Sequence, residues 1–160
     1  MNDELRKSAQ KVQVILDRFG LALTVVEFQE STHTSQEAAD AIGCELGQIA
    51  KSLIFKGKTS HTPVCVIASG ANRVDEKKLR TILGEKVEKA DADFVLRHTG
   101  YAIGGIPPVG HATELRILVD EDLLRHEIVW SAAGTPHAVF KLTSKELVAI
   151  TNGEVVDMKQ

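Results

Sequence analysis

The sequence has no segment that could cross a membrane as a helix, and it has only two cysteines that could form a disulfide. No apolar run approaches the roughly 18 consecutive residues that a membrane helix needs. The two cysteines, Cys44 and Cys65, form no C-x-x-C pair. Residues 1–10 are polar and charged, unlike a secretory leader. These absences predict a cytoplasmic protein with reduced cysteines and no membrane association.

The sequence also lacks the motifs of several enzyme classes. No G-x-x-x-x-G-K-[ST] or G-x-G-x-x-G sequence opens a helix, so nothing predicts a phosphate cradle for a nucleotide. The six histidines show neither H-x-x-x-H nor Cys/His spacing, and we expect no metal and no other cofactor. A G-x-S-x-G serine elbow is absent as well. A net charge of −3 provides no sequence-wide basic field, so any RNA contact must be local.

What is present predicts one domain, residues 1–160, with a single hydrophobic core, since the 160-residue sequence is 43% apolar. Helical patterns alternate with short apolar runs that predict strands, and Thr34 and Thr143 each begin a capping box. The predicted strands lie at 21–28, 51–56, 64–68, 115–119, 128–132, 138–142 and 155–158. Because the last strands follow one another through tight links, we predict an α+β fold with a mixed, partly antiparallel sheet and helices packed on it.

One lysine lies near the start of a predicted strand, in the sequence Ile-Ala-Lys-Ser-Leu-Ile-Phe at 49–55. Strand alternation places Lys51, Leu53 and Phe55 on one face. An ammonium on an apolar face either reaches past the strand end to water or lines a pocket. The pattern alone leaves both interpretations open.

A glycine-proline loop, Gly-Gly-Ile-Pro-Pro-Val-Gly, covers residues 104–110. Glycine permits close backbone approach and proline stiffens the backbone, so this loop is either a rigid wall for a ligand or an ordinary turn. A second loop, Gly134-Thr135-Pro136-His137, joins two predicted strands. His137 could orient a water or bind an amine, or it could be a solvated loop histidine.

Four segments in order carry a resemblance: Thr34-x-x-Glu37-Ala38-Ala39, Ile49 to Leu53, the 104–110 loop, and Gly134 followed by a strand and Leu147. Together they resemble the YbaK/ProX family, the free-standing relatives of the prolyl-tRNA synthetase editing domain. The resemblance runs from about Val25 to Ile150 and implies the editing-domain fold with a curved mixed sheet.

The activity implied by the resemblance is trans-editing, the hydrolysis of the ester that joins a wrong small amino acid to tRNA, typically tRNA(Pro). Its implied partners are the acceptor end of mischarged tRNA and prolyl-tRNA synthetase. Such enzymes serve accuracy, because a synthetase pocket separates small side chains by only ~1–3 kcal/mol. The alternative is a module that binds a small ligand or an aminoacyl-tRNA 3′ end without hydrolysing it.

The resemblance implies that Lys51 holds the terminal adenosine or the ester, where an ammonium can offset charge on a tetrahedral oxyanion. It implies substrate binding by Gly104, Gly105, Ile106, Pro107, Val109, Gly110, Gly134, Thr135 and His137. Many relatives carry a second glycine where His137 stands, so the amino acid removed stays open. The resemblance also implies catalysis assisted by the vicinal ribose hydroxyl, without a protein nucleophile.

Six basic residues form a further candidate surface, either a patch for the acceptor stem or a solvated face diluted by acidic neighbours. They are Lys56, Lys58, Arg73, Lys77, Lys78 and Arg80.

Overall fold

The computed structural model describes residues 3–160, with side chains from residue 6 onward. These residues form five α-helices: α1 Asp3–Asp17, α2 Ser35–Ile42, α3 Glu76–Leu83, α4 Ala92–Thr99 and α5 Ser144–Thr151. They form eight strands: β1 Val25–Glu27, β2 Ile49–Gly57, β3 Pro63–Ser69, β4 Val87–Lys89, β5 Arg116–Asp120, β6 Ile128–Ala132, β7 Ala138–Thr143 and β8 Glu154–Val156. Short 3₁₀ turns at Leu46–Gln48 and Glu121–Arg125 precede β2 and follow β5.

All eight strands belong to one sheet with the order β1-β7-β6-β2-β3-β5-β8, and β4 pairs with β2 beside this path. The pairs β2–β6, β3–β5 and β5–β8 are parallel. The pairs β1–β7, β2–β3, β2–β4 and β6–β7 are antiparallel. The predicted mixed, partly antiparallel sheet with helices packed on it is confirmed.

Helix ends follow the predicted capping chemistry, with one bond of the predicted capping box formed at Thr34 and both formed at Thr143. Thr34 begins α2 by accepting a hydrogen bond from the Glu37 N–H at 3.0 Å. Thr143 begins α5 with both bonds of a capping box, its partner being Glu146. Gly43 ends α2 at φ +81°, a conformation that suits glycine.

Three elements differ from the sequence prediction. The strand predicted at 21–28 is reduced to β1, because a tight turn forms before it, where Leu23 N–H donates to Leu21 C=O at 2.8 Å. Strand β4 was not predicted, since its three residues include two exposed charged ones and it pairs only with the end of β2. Strand β8 begins just before the predicted edge strand and ends earlier, and Met158 beyond it is fully buried.

The two faces of β2 pack against different helices, as the alternation predicts. Ala50 and Ile54 belong to the main core cluster, with residues of α1, α4 and α5. Phe55 and Leu53 belong to a second cluster under α3, around Leu79. Helix α2 covers Ile49 through its two buried alanines. Lys51 therefore shares its strand face with residues that pack under α3.

The sheet has a gap along one edge of β2. Ala50 pairs with Ser131 of β6, whereas residues 55–57 pair with β4. Between these two partners the register leaves the backbone of Ser52 without a strand partner on that edge in the described part of the protein. The gap adjoins Lys51 and positions the site described next. No helix within residues 3–160 is long and apolar enough to cross a membrane.

Candidate functional site

A pocket of about 320 Å³ lies at this gap. Its wall combines residues from β2, β6, β7, the first turn of α2 and the glycine-proline loop. They are Thr32, His33, Thr34, Ser35, Ala38, Ile49, Ala50, Lys51, Ser52, Leu53, Ile103, Gly104, Ile106, Trp130, Ser131, Ala132 and Val139. The volume lies at the lower end of the ~300–1,000 Å³ range of small-molecule sites.

Lys51 provides the cationic group of the pocket wall. Its side chain is half-buried, and Nζ donates one hydrogen bond to the backbone C=O of Asn72 at 3.1 Å. An ammonium carries three N–H donors, so two remain for other partners.

Burial is the main cause that lowers the pKa of Lys51, because desolvation penalises its charged form. The positive charges of Lys89 and Arg73 lower the pKa further, while Asp120 acts in the opposite direction. The pKa of Lys51 therefore lies below that of a solvated lysine, and other cations lie nearby. This environment suits an anionic or carbonyl ligand.

His33 and the start of α2 form a second wall. His33 lines the pocket and packs on Gly104, where an added Cβ would overlap its ring. Thr34 and Ser35 at the start of α2 also line the pocket. The positive end of the α2 dipole therefore lies at this wall, where negative charge is stabilised.

Three hydroxyl groups of lining residues are buried without a partner. The Oγ1 of Thr32 and the Oγ atoms of Ser52 and Ser131 make no hydrogen bond within residues 3–160. Buried hydroxyls normally find a partner because leaving one unpaired costs about 1–3 kcal/mol. The pocket wall is thus largely apolar, and these three hydroxyl oxygens lie buried behind its surface.

Of the predicted loop residues, Gly104 and Ile106 line the pocket. Gly104 adopts φ +93°, which favours glycine. Gly105 lies behind them: its C=O accepts the Gly134 N–H at 2.8 Å, and an added Cβ would lie 2.9 Å from the Thr135 nitrogen. The glycine pair thus combines one lining residue with one packing residue.

The rest of the loop turns away from the pocket. Pro107 is buried, and its C=O accepts a hydrogen bond from His111 Nε2 at 2.7 Å. Val109 and Gly110 line a separate, more open cavity beside Phe19. Their predicted contact with substrate stays a prediction.

The second predicted loop also lies outside the pocket wall. Gly134 packs on α1, where an added Cβ would lie 2.8 Å from the Ser8 C=O oxygen. Thr135 is buried, and its hydroxyl accepts the His137 N–H at 3.0 Å. His137 Nδ1 donates to the Glu30 C=O at 3.0 Å, which ties this loop to the segment before α2. The structure therefore brings Lys51, Gly104 and Ile106 together but not the second loop.

Sequence reasoning missed several pocket residues, chiefly His33, Ile103, Trp130 and Ser131. His33 had a usable signal, because it directly precedes the Thr34 cap that begins α2. Trp130 and Ser131 had no such signal, because the sequence around them indicates only a strand.

Burial disfavours the thiolate form of both cysteines. Burial raises the pKa of the Cys65 thiol to about 12, and burial also raises that of Cys44. Among the described residues, no group of three or more His, Cys, Asp or Glu residues could hold a metal ion.

Two of the six predicted basic residues have partners within the protein. Lys78 donates to the Asp157 carboxylate at 3.0 Å and to the Lys159 C=O at 2.7 Å. Lys56 lies over the Phe94 ring at 5.2 Å. Arg73 differs from them, because its charge acts on Lys51.

Comparison with known proteins identifies the family. The family described as "Aminoacyl-tRNA editing domain" matches residues 29–150, and the chain belongs to it. The YbaK-type resemblance in the sequence is thereby confirmed.

Individual relatives agree over most of the sequence. YwhH of Bacillus subtilis (strain 168) is 37% identical over 77% of this chain and 78% of that protein. The Enterococcus faecalis (strain ATCC 700802 / V583) protein named "Putative Cys-tRNA(Pro)/Cys-tRNA(Cys) deacylase EbsC" is 26% identical over 82% and 80%. A crystal structure described as "a putative trans-editing enzyme for prolyl tRNA synthetase" superposes with a TM-score of 0.89 at 46% identity, covering 96% of this chain and 97% of that one.

Proposed function

We propose that this protein is a trans-acting aminoacyl-tRNA deacylase that removes a small amino acid from mischarged tRNA. The observation that carries the proposal is the half-buried ammonium of Lys51 in the wall of a pocket of small-molecule size. Membership of the editing-domain family supports it.

The reaction is the hydrolysis of an ester. Water attacks the carbonyl carbon of the aminoacyl group, and the bond from that carbon to the ribose oxygen breaks. The products are the free amino acid and a tRNA whose terminal hydroxyl is restored. Lys51 stabilises the developing oxyanion, and the N-terminus of α2 contributes in the same sense. The vicinal ribose hydroxyl helps to position the water, so the protein needs neither a nucleophile nor a cofactor.

Size and lining support a small aminoacyl group. Ile106, Ile49 and Trp130 line the pocket and make much of its wall apolar. The names of the relatives support tRNA(Pro) as the carrier and prolyl-tRNA synthetase as the enzyme whose errors are cleared. Because aminoacyl-tRNA is made and used in the cytoplasm, we place the activity there.

The direct test incubates the protein with a panel of mischarged tRNAs and follows loss of the ester. We expect cleavage of small aminoacyl groups on tRNA(Pro), and Lys51→Ala should lower the rate at least ~10²-fold, about 2.7 kcal/mol, in a folded protein. Lys145→Ala, which removes an exposed lysine on α5, is the matched control and should retain the rate.

Two results would contradict the proposal. Near-normal turnover by Lys51→Ala would remove Lys51 from the reaction. Binding of aminoacyl-tRNA without cleavage of any member of the panel would favour a non-catalytic binding module.

A further inference from the structure

The ammonium of Lys51 is held by one group of known position, the backbone C=O of Asn72, at 3.1 Å. A lysine side chain is flexible and carries about 2 kcal/mol of rotamer entropy. The position of its Nζ therefore depends on the position of the carbonyl that accepts its hydrogen bond. That carbonyl belongs to the turn after β3, where Asn72 N–H donates to the Ser69 C=O at 3.0 Å.

The side chain of Asn72 connects this turn to the end of β5 and the 3₁₀ turn that follows it. Its Nδ2 donates to Asp120 Oδ2 and to Asp122 Oδ2, both at 2.9 Å. An amide nitrogen has two hydrogens, and both are used. Hydrogen bonds to carboxylates are stronger than neutral ones, so the turn is held by two charge-assisted bonds.

The carboxylate of Asp120 is buried, which costs free energy unless hydrogen bonds replace the lost contacts with water. It is fully buried, and it forms no salt bridge within residues 3–160. Its oxygens instead accept from Ser69 N–H at 3.0 Å, from Asn72 and from Asp122 N–H at 2.9 Å. A buried carboxylate satisfied by N–H donors makes a stiff network, and the group it stiffens is the one that holds Lys51.

We propose that Asn72 is a positioning residue for Lys51: its side-chain amide, held by Asp120 and Asp122, fixes the carbonyl that aims the ammonium into the pocket. The assignment rests on the proposed deacylase function for its kinetic consequence, but the placement of Lys51 can be measured without substrate. Asn72 does not line the pocket, so it acts through Lys51.

The test compares Asn72→Ala, which keeps the carbonyl but removes both N–H donors, with the wild type. Because a small misplacement of a catalytic group costs up to ~10²-fold, we expect kcat to fall at least ~10-fold while KM changes little. In parallel, trace labelling with acetic anhydride, read by mass spectrometry, reports Lys51 relative to the exposed Lys145. The freed Lys51 should be labelled several-fold faster.

Gln13→Ala is the matched control, since it also removes an amide side chain that holds backbone groups. Gln13 donates to the Leu23 C=O and accepts from the Val25 N–H, away from the pocket. It should lower the melting temperature without changing kcat or the labelling of Lys51. If Asn72→Ala fails to fold, Asn72→Ser, which replaces the two amide N–H donors with one hydroxyl donor, takes its place.

Unchanged labelling of Lys51 in the folded variant would overturn the assignment, even if kcat fell, because Lys51 would not have moved. Faster labelling with unchanged kcat would support Asn72 as the positioning residue of Lys51 and would instead contradict the catalytic role of Lys51 in the proposed function. If the wild type cleaves no mischarged tRNA, the proposed function fails, and the labelling alone decides whether Asn72 positions Lys51.

Discussion

Lys51 illustrates how a strand can present a charged residue to a ligand without burying it fully. Its strand neighbours Leu53 and Phe55 pack under α3, while Lys51 itself lies at the gap beside β6. The sequence predicted the face of Lys51 from alternation. It could not choose between a solvated lysine and a pocket lysine, because that depends on where β6 and β4 pair with β2.

The lowered pKa of Lys51 predicts a pH dependence. An activity that needs the ammonium is present below the pKa of Lys51 and is lost as pH rises through it, so the loss should begin at lower pH than for an ordinary lysine. Burial is the main cause and the charge of Lys89 is the next. Lys89→Gln should therefore move the alkaline limb of kcat to higher pH. Single-turnover rates, corrected for spontaneous ester hydrolysis, would show this, and an unmoved limb would argue against it.

At the scale of elements, the glycine-proline loop meets the pocket on one side and the β6–β7 link on the other. Gly104 faces His33, a residue whose ring can shift, whereas Gly105 faces the backbone of Gly134 and Thr135. Composition predicted a special loop here, but it could not assign different roles to adjacent glycines.

This difference predicts distinct effects of two alanine substitutions. Gly105→Ala should destabilise the fold by about 1–3 kcal/mol, since the backbone that faces it has no room to give way. Gly104→Ala should lower deacylation more than stability, because the strain of its positive φ and the contact with His33 both act at the pocket wall. Thermal melting and deacylation rates of the two proteins separate these effects. Equal losses of stability would show that both glycines are structural.

At the scale of the whole molecule, the pocket is assembled from segments that are distant in sequence. Residues near 33, 51, 104 and 131 meet at one gap in the sheet. Ile106 faces this pocket, whereas Val109, three residues later, faces the cavity beside Phe19.

If the pocket wall selects by size, small aminoacyl groups should be cleaved and phenylalanyl-tRNA spared. Ile106→Ala should then admit a bulkier residue, at a cost of about 2–5 kcal/mol in stability. Val109→Ala removes a similar buried side chain from the same loop, and an unchanged size preference in this variant would argue against a substrate contact of Val109. Competition assays with alanyl-, cysteinyl- and phenylalanyl-tRNA decide this, and equal cleavage of all three by the wild type would refute selection by size.

Binding of tRNA should depend on cations near the pocket rather than on α3 as a whole. Arg73 acts on Lys51, whereas Lys78 is already paired with Asp157. Arg73→Ala should raise KM for tRNA and reduce the slope of log affinity against log salt by ~1, the change expected for one lost phosphate contact. Lys78→Ala should leave the slope unchanged. A salt series of KM values measures both, and equal slopes for Arg73→Ala and wild type would exclude Arg73 from the interface.

The local features of this protein were determined by sequence alone, because each depends on neighbouring residues. The cap at Thr34, the end of α2 at Gly43 and the alternation along β2 follow from hydrogen bonding and backbone geometry within a few positions. The mixed sheet followed from the order and spacing of the strands.

Only the tertiary structure decided which residues meet. The gap in the sheet between β6 and β4 depends on where each of these strands pairs with β2. The hydrogen bonds between His137 and Glu30 and between Lys51 and Asn72 join positions far apart in the sequence. Such contacts arise from strand register and packing, which no local pattern of residues specifies.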